Sequence, residues 1–141
     1  MRTPAAVLTL CATTAVADMP VAITRDLDRC MVASVDQQSD MRCMTTAFQA
    51  CGTSDAACLI ALDARVTAAA DALVQDIDPS AMAGATKKEA LKRRMFLRRL
   101  NRVSKRVDRT CGSDQTPETC AVLASTVRWL ELRSLSREVA G

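Results

Sequence analysis

Apolar residues recur at helical spacing along most of the chain. Leu59, Leu62, Val66, Ala69, Ala70, Leu73 and Ile77 fall on one stripe, and Ala61, Ala64, Arg65 and Ala68 lie opposite them. This pattern predicts a helix capped by Thr53 or Ser54 and terminated at Asp78-Pro79. Upstream, residues from about Thr24 to Val35 and from about Asp40 to Ala50 read as two shorter helices. The polar run "DQQSD" separates them, and Gly52 closes the second. Downstream of the linker "PSAMAGA", Thr86 to Glu89 ("TKKE") form a capping-box pattern, in which each side chain can satisfy the other's free backbone N–H. It opens a helix expected to reach about Thr110, closed by Cys111-Gly112. Thr116 as N-cap, Pro117 in the first turn and Glu118 at the positive end of the helix dipole then start a last helix, ending near Glu138. Its apolar residues, Val122, Leu123, Val127, Trp129, Leu130, Leu132 and Leu135, spread around much of the girth, as in a central helix.

Composition agrees with this pattern. The aromatics are Phe48, Phe96 and Trp129, with no Tyr, while Ala, Leu, Val and Met abound. Small and flexible side chains suit helix-on-helix packing, whereas a sheet favours β-branched and aromatic residues. The expected fold class is all-α: a small disulfide-stapled bundle of about five helices, formed by one domain over residues 18–141.

Residues 1–17 read as a signal peptide. Arg2 precedes a short apolar run that reaches Ala15-Val16-Ala17, an A-x-A cleavage pattern that would leave Asp18 as the first mature residue. The run is shorter than the ~20 residues needed to span a bilayer. A lipoprotein reading centred on Cys11 is the rival, although Leu10 stands where Gly or Ala is usual. Cleavage also removes Cys11 and leaves an even set of six: Cys30, Cys43, Cys51, Cys58, Cys111 and Cys120. In an oxidising compartment such a set reads as disulfides, although the count alone leaves the pairing open. The expected scheme is Cys30–Cys43, Cys51–Cys58 and Cys111–Cys120, because each pair flanks a predicted helix–turn–helix junction. Cys43 with Cys51 is disfavoured, since eight residues of helix separate them by about 12 Å.

Charge divides the chain. Residues 18–78 hold ten Asp and four Arg, whereas residues 87–109 hold eleven Lys/Arg against Glu89 and Asp108. On a helical wheel Phe96, Leu100, Val103 and Val107 cluster on one side. Arg94, Arg98, Arg102 and Arg106 lie on the other, together with Lys88, Arg99, Lys105 and Arg109. That is the layout of a bundle helix with a solvated basic face. Two features exceed it: Leu91 and Met95 sit within the basic arc, and there is little interspersed Glu for i,i+4 pairing. An internal match between the acidic first half and the basic helix would account for part of the polarity.

Several function classes are disfavoured. The chain has no His, the commonest general base, and no Ser-x-x-Lys arrangement. Asp26-x-Asp28 and Asp76-x-Asp78 pair carboxylates, but such pairs are common at helix ends, and they lack the Gly and terminal Glu of a calcium loop. We therefore expect no enzyme, no cofactor and no metal. Nucleic acid is not expected as a partner either, because the basic helix interleaves no Tyr or Trp on which bases could stack.

The cysteine ladder carries a resemblance. Residues 28–135, with "RCMVASVDQQSDMRCMTTAFQACGTSDAACLIALDARV" and later "VDRTCGSDQTPETCAVLASTVRWLELRSL", resemble the LprI-like lysozyme-inhibitor family. The Cys43–Cys51 spacing and the order Asp108, Cys111, Cys120, Thr126, Arg128 match best. Where the family usually has Trp-x-x-x-Arg-Asp, this chain has Val103, Val107 and Asp108, so the Trp and the Arg are replaced and the Asp is kept. The resemblance implies an exported, all-helical, non-enzymatic protein, periplasmic or secreted, that binds lysozyme or another envelope protein. Lysozymes of animal type are strongly cationic, so acids would make the contact, and Asp26, Asp28, Asp36, Asp40 and Asp55 are the candidates. The alternative expectation is a cell-envelope module that meets an anionic membrane surface or polymer through Arg94, Arg98, Arg102 and Arg106.

Overall fold

Helix–turn–helix units repeat along the chain. The computed structural model describes residues 19–105 and 111–141, and within them all regular structure is helical. The elements are α1 (Met19–Ala33), α2 (Gln37–Cys51), α3 (Ala56–Asp76), α4 (Lys87–Ser104) and α5 (Pro117–Ala140), with one 3-10 turn at Pro79–Ala81. The expected signal segment, residues 1–17, and the stretch 106–110 lie outside the described residues.

Local chemistry explains the boundaries. Helix α1 starts before Thr24, because Pro20 is tolerated in a first turn. Thr24, the expected start, instead donates its hydroxyl back to the Pro20 carbonyl at 3.0 Å from inside the helix. The run "DQQSD" is the opening of α2 rather than a separator. Asp36 accepts the Ser39 amide at 2.7 Å, and the Ser39 hydroxyl accepts the Asp36 amide at 3.0 Å, which closes a capping box. Gly52 ends α2 with φ +70°, a left-handed conformation that glycine adopts without steric cost, and its amide donates to the Phe48 carbonyl. Asp55 caps α3 by accepting the Cys58 amide at 3.0 Å, so the cap falls just past Thr53 and Ser54. Thr86 with Glu89, and Thr116 with Pro117, start α4 and α5 as the sequence predicts.

Helix α3 against α5 is the most extensive pairing, and α1, α2 and α4 pack around it. Leu59, Leu62, Val66 and Ala70 of α3 are buried, as are Val122, Trp129, Leu132 and Leu135 of α5. Ala47 and Ala70 are small buried side chains in this core, and Trp129 and Phe96 supply the largest buried ones. Three disulfides staple the hairpins: Cys30–Cys43, Cys51–Cys58 and Cys111–Cys120, with Cα–Cα distances of 5.6, 5.5 and 5.6 Å.

Candidate functional site

The basic helix α4 is held from one side only. Phe96 is 1% exposed and Val103 8%, while Leu100 packs against the core but keeps some exposure. Val107, the fourth member of the expected stripe, lies outside the described residues. Two devices fix the ends of α4. At the start, Thr86 accepts the Glu89 amide at 3.1 Å and the Glu89 carboxylate accepts the Thr86 amide at 2.9 Å. The Thr86 backbone and side-chain bonds hold the Glu89 carboxyl below the usual carboxylate range. At the end, the Arg128 guanidinium donates to the carbonyls of Val103 and Ser104 at 3.0 and 2.8 Å. Those carbonyls have no partner within the helix, and a planar fork suits the pair of them. The helix closes with a cap at Lys105, and the rest of the expected span, to Thr110, lies outside the described residues.

With α4 so fixed, Arg94, Arg98 and Arg102 are exposed, as are Lys87, Lys88, Lys92 and Lys105. Arg106 lies outside the described residues. Among the described residues, the α4 cation that forms an ion pair is Arg99, at 3.0 Å from Glu138 of α5. The single acid of α4, Glu89, is engaged in its cap, so nothing on the helix neutralises the outer cations. Leu91, Met95 and Leu97 are 55%, 58% and 41% exposed on this same helix. Beside it, Arg99, Arg102, Val103, Glu131 and Leu135 line a cavity of about 110 Å³ between α4 and α5. Its Glu131 carboxylate opposes an anion there.

The acids are dispersed. Asp40 is fully buried, which removes it from the candidate lysozyme contacts. Its Oδ1 accepts the Ser34 hydroxyl at 2.6 Å and Arg133 Nε at 3.3 Å, and Arg137 approaches Oδ2 as an ion pair. Arg133 also donates to the Ser34 carbonyl at 3.0 Å and lies over the Trp129 ring, 5.6 Å from its centroid. Asp28 is bound by Arg65 at 2.5 Å. Asp36 and Asp55 serve as N-caps of α2 and α3, and Asp26 stands exposed beside Arg29.

Among the described residues, the ion pairs that tie the acidic half to the rest of the chain come from α5, while Arg106 and Arg109 of the basic stretch lie outside them. Arginines of α5 reach back: Arg128 to Asp71 of α3 at 2.7 Å, and Arg133 and Arg137 to Asp40 of α2. Sequence reasoning passed over Arg133 and Arg137. Their spacing of four on a helix apolar all round was the available signal, because cations on an inward face need an acid to meet.

Among the described residues, no group of three or more His, Cys, Asp or Glu could hold a metal ion, and no helix is long and apolar enough to cross a membrane. No family model, curated protein or solved structure matches this chain.

Proposed function

We propose that this chain is an exported, periplasmic or secreted, non-enzymatic binding module that meets anionic surfaces of the cell envelope through the outer face of α4. The supporting observation is the row Arg94, Arg98 and Arg102, exposed and without an acidic partner among the described residues. Three disulfides favour an oxidising compartment, where such bonds persist. Association through unpaired surface cations is long-ranged and salt-sensitive, because the Debye length falls from about 10 Å at 0.1 M salt to about 3 Å at 1 M.

The experiment has two steps. Mass spectrometry of the exported protein is expected to find Asp18 as the first residue. That protein is then titrated against anionic vesicles and against a soluble anionic polymer at several salt concentrations. Binding that weakens with salt and is lost in an Arg94→Glu, Arg98→Glu, Arg102→Glu variant supports the reading, and indifference to those reversals refutes it.

A second reading, binding of a lysozyme, follows from the LprI-like resemblance and is favoured by Asp26, whose side chain is 70% exposed. Lysozyme in the same titration separates the two: this reading expects loss with Asp26→Lys and none with the α4 reversals.

A further inference from the structure

Leu91 and Met95 are one helical turn apart on α4 and turned away from Phe96 and Val103, the residues that α4 buries. An exposed leucine alone would be unremarkable. Here two large apolar side chains, each more than half exposed, are flanked by Lys88, Arg94, Arg98 and Arg102, all exposed as well. The face is therefore a short apolar ridge inside a cationic frame.

Resting on the envelope-surface reading and naming its partner, we infer that this face docks on an anionic lipid bilayer, with Leu91 and Met95 entering the interfacial layer and Lys88, Arg94, Arg98 and Arg102 contacting lipid phosphates. A hydrated polyanion satisfies only half of the face, since it gives the cations their counter-charges and leaves Leu91 and Met95 in water. A bilayer presents both chemistries at the right depths, anionic headgroups outside and the acyl boundary beneath. Arginine and lysine have long apolar stems, so their charged ends can stay at the phosphate level while the shorter ridge goes deeper. The opposite side of α4 is anchored by Phe96 and Val103, so the helix lies parallel to the surface and the bundle stays in water. Among the described residues, no helix is long and apolar enough to cross a membrane.

The test uses the exported protein with its disulfides intact. Co-sedimentation compares vesicles of phosphatidylcholine alone with vesicles enriched in phosphatidylglycerol, and soluble polyphosphate serves as the polymer. The expected result is binding to the phosphatidylglycerol vesicles that falls about tenfold or more in a Leu91→Gln, Met95→Gln variant. Any polyphosphate binding should be the same in that variant. Glutamine is a good helix former and both sites are exposed, so the double variant should keep its helicity by circular dichroism.

A second measurement reads depth directly. In Leu91→Trp, lipids brominated along their acyl chains should quench the new indole, while Trp129, 2% exposed, acts as an unquenched internal reference. Vesicle binding that survives the double substitution, or a bound Trp at position 91 that escapes quenching, overturns the bilayer inference and leaves the envelope-surface reading standing. Binding of polyphosphate without vesicles does the same. Binding of neither overturns both.

Discussion

A buried carboxylate is tolerable only when its charge is answered, and at Asp40 two arginines and a serine hydroxyl answer it. Asp40→Ala would leave Arg133 and Arg137 facing an empty acceptor. Their side chains are 23% and 31% exposed, so water recovers part of the loss, and the expected cost is roughly 3 kcal/mol by urea denaturation. Asp26→Ala, at an exposed pair, should stay within about 0.5 kcal/mol. The helix wheel of α4 makes a second contrast. Phe96→Ala should cost roughly 3–5 kcal/mol and Leu100→Ala, partly exposed, nearer 2 kcal/mol, whereas Arg94→Glu should change stability by about 0.5 kcal/mol or less. The inward and outward sets on α4 were legible because periodicity is a local property. The fate of Asp40 was not, because Arg133 stands 93 positions away and nothing near Asp40 in the chain announces burial.

At the scale of the element, helix starts were readable wherever one capping residue stood without competitors, as at Thr86 and at Thr116-Pro117. They shifted where several polar residues ran together. In "GTSD" three side chains could cap α3 and Asp55 does, and in "DQQSD" the box formed by Asp36 and Ser39 turned an expected loop into helix. The end of α4 depends on a residue far along the chain. Arg128→Ala removes the donors for two terminal carbonyls and the tie to Asp71, with an expected loss of about 2–3 kcal/mol. Arg128→Lys should recover little of it, since an ammonium cannot span both carbonyls and the carboxylate. Denaturant titration of the two variants checks this.

The caps also carry a pH dependence. Bonds from Thr86 lower the folded-state pKa of Glu89, and bonds from Ser39 lower that of Asp36. The unfolded chain therefore binds these protons first on acidification. The caps contribute fully above the ordinary carboxylate range, and the contribution is lost as pH falls through the depressed folded-state values. Amide exchange in the first turn of α4 should accelerate in acid, and Glu89→Gln should flatten that response.

At the scale of the whole molecule, the all-helical bundle and the central place of α5 were legible from apolar residues spread around its girth. The cover is incomplete: Val127 is 47% exposed, because α2, α3 and α4 leave that side open. The charge polarity of the chain was also plain, but not its wiring. Composition records how many acids and bases each segment holds, whereas the ion pairs follow from which helices become neighbours, and α5 rather than α4 meets α2 and α3 with its arginines. The disulfides follow chain order instead, their cysteines only 13, 7 and 9 residues apart and no bond interleaved with another. If the chain is exported N-terminus first into an oxidising space, as proposed, this order is a kinetic asset. Each cysteine in the second place of a pair arrives while one free thiol of the described set is waiting, so the first bond that can form is the native one. Correct pairing should then require an oxidant but no isomerase, and non-reducing peptide maps from cells with and without a disulfide isomerase should be the same.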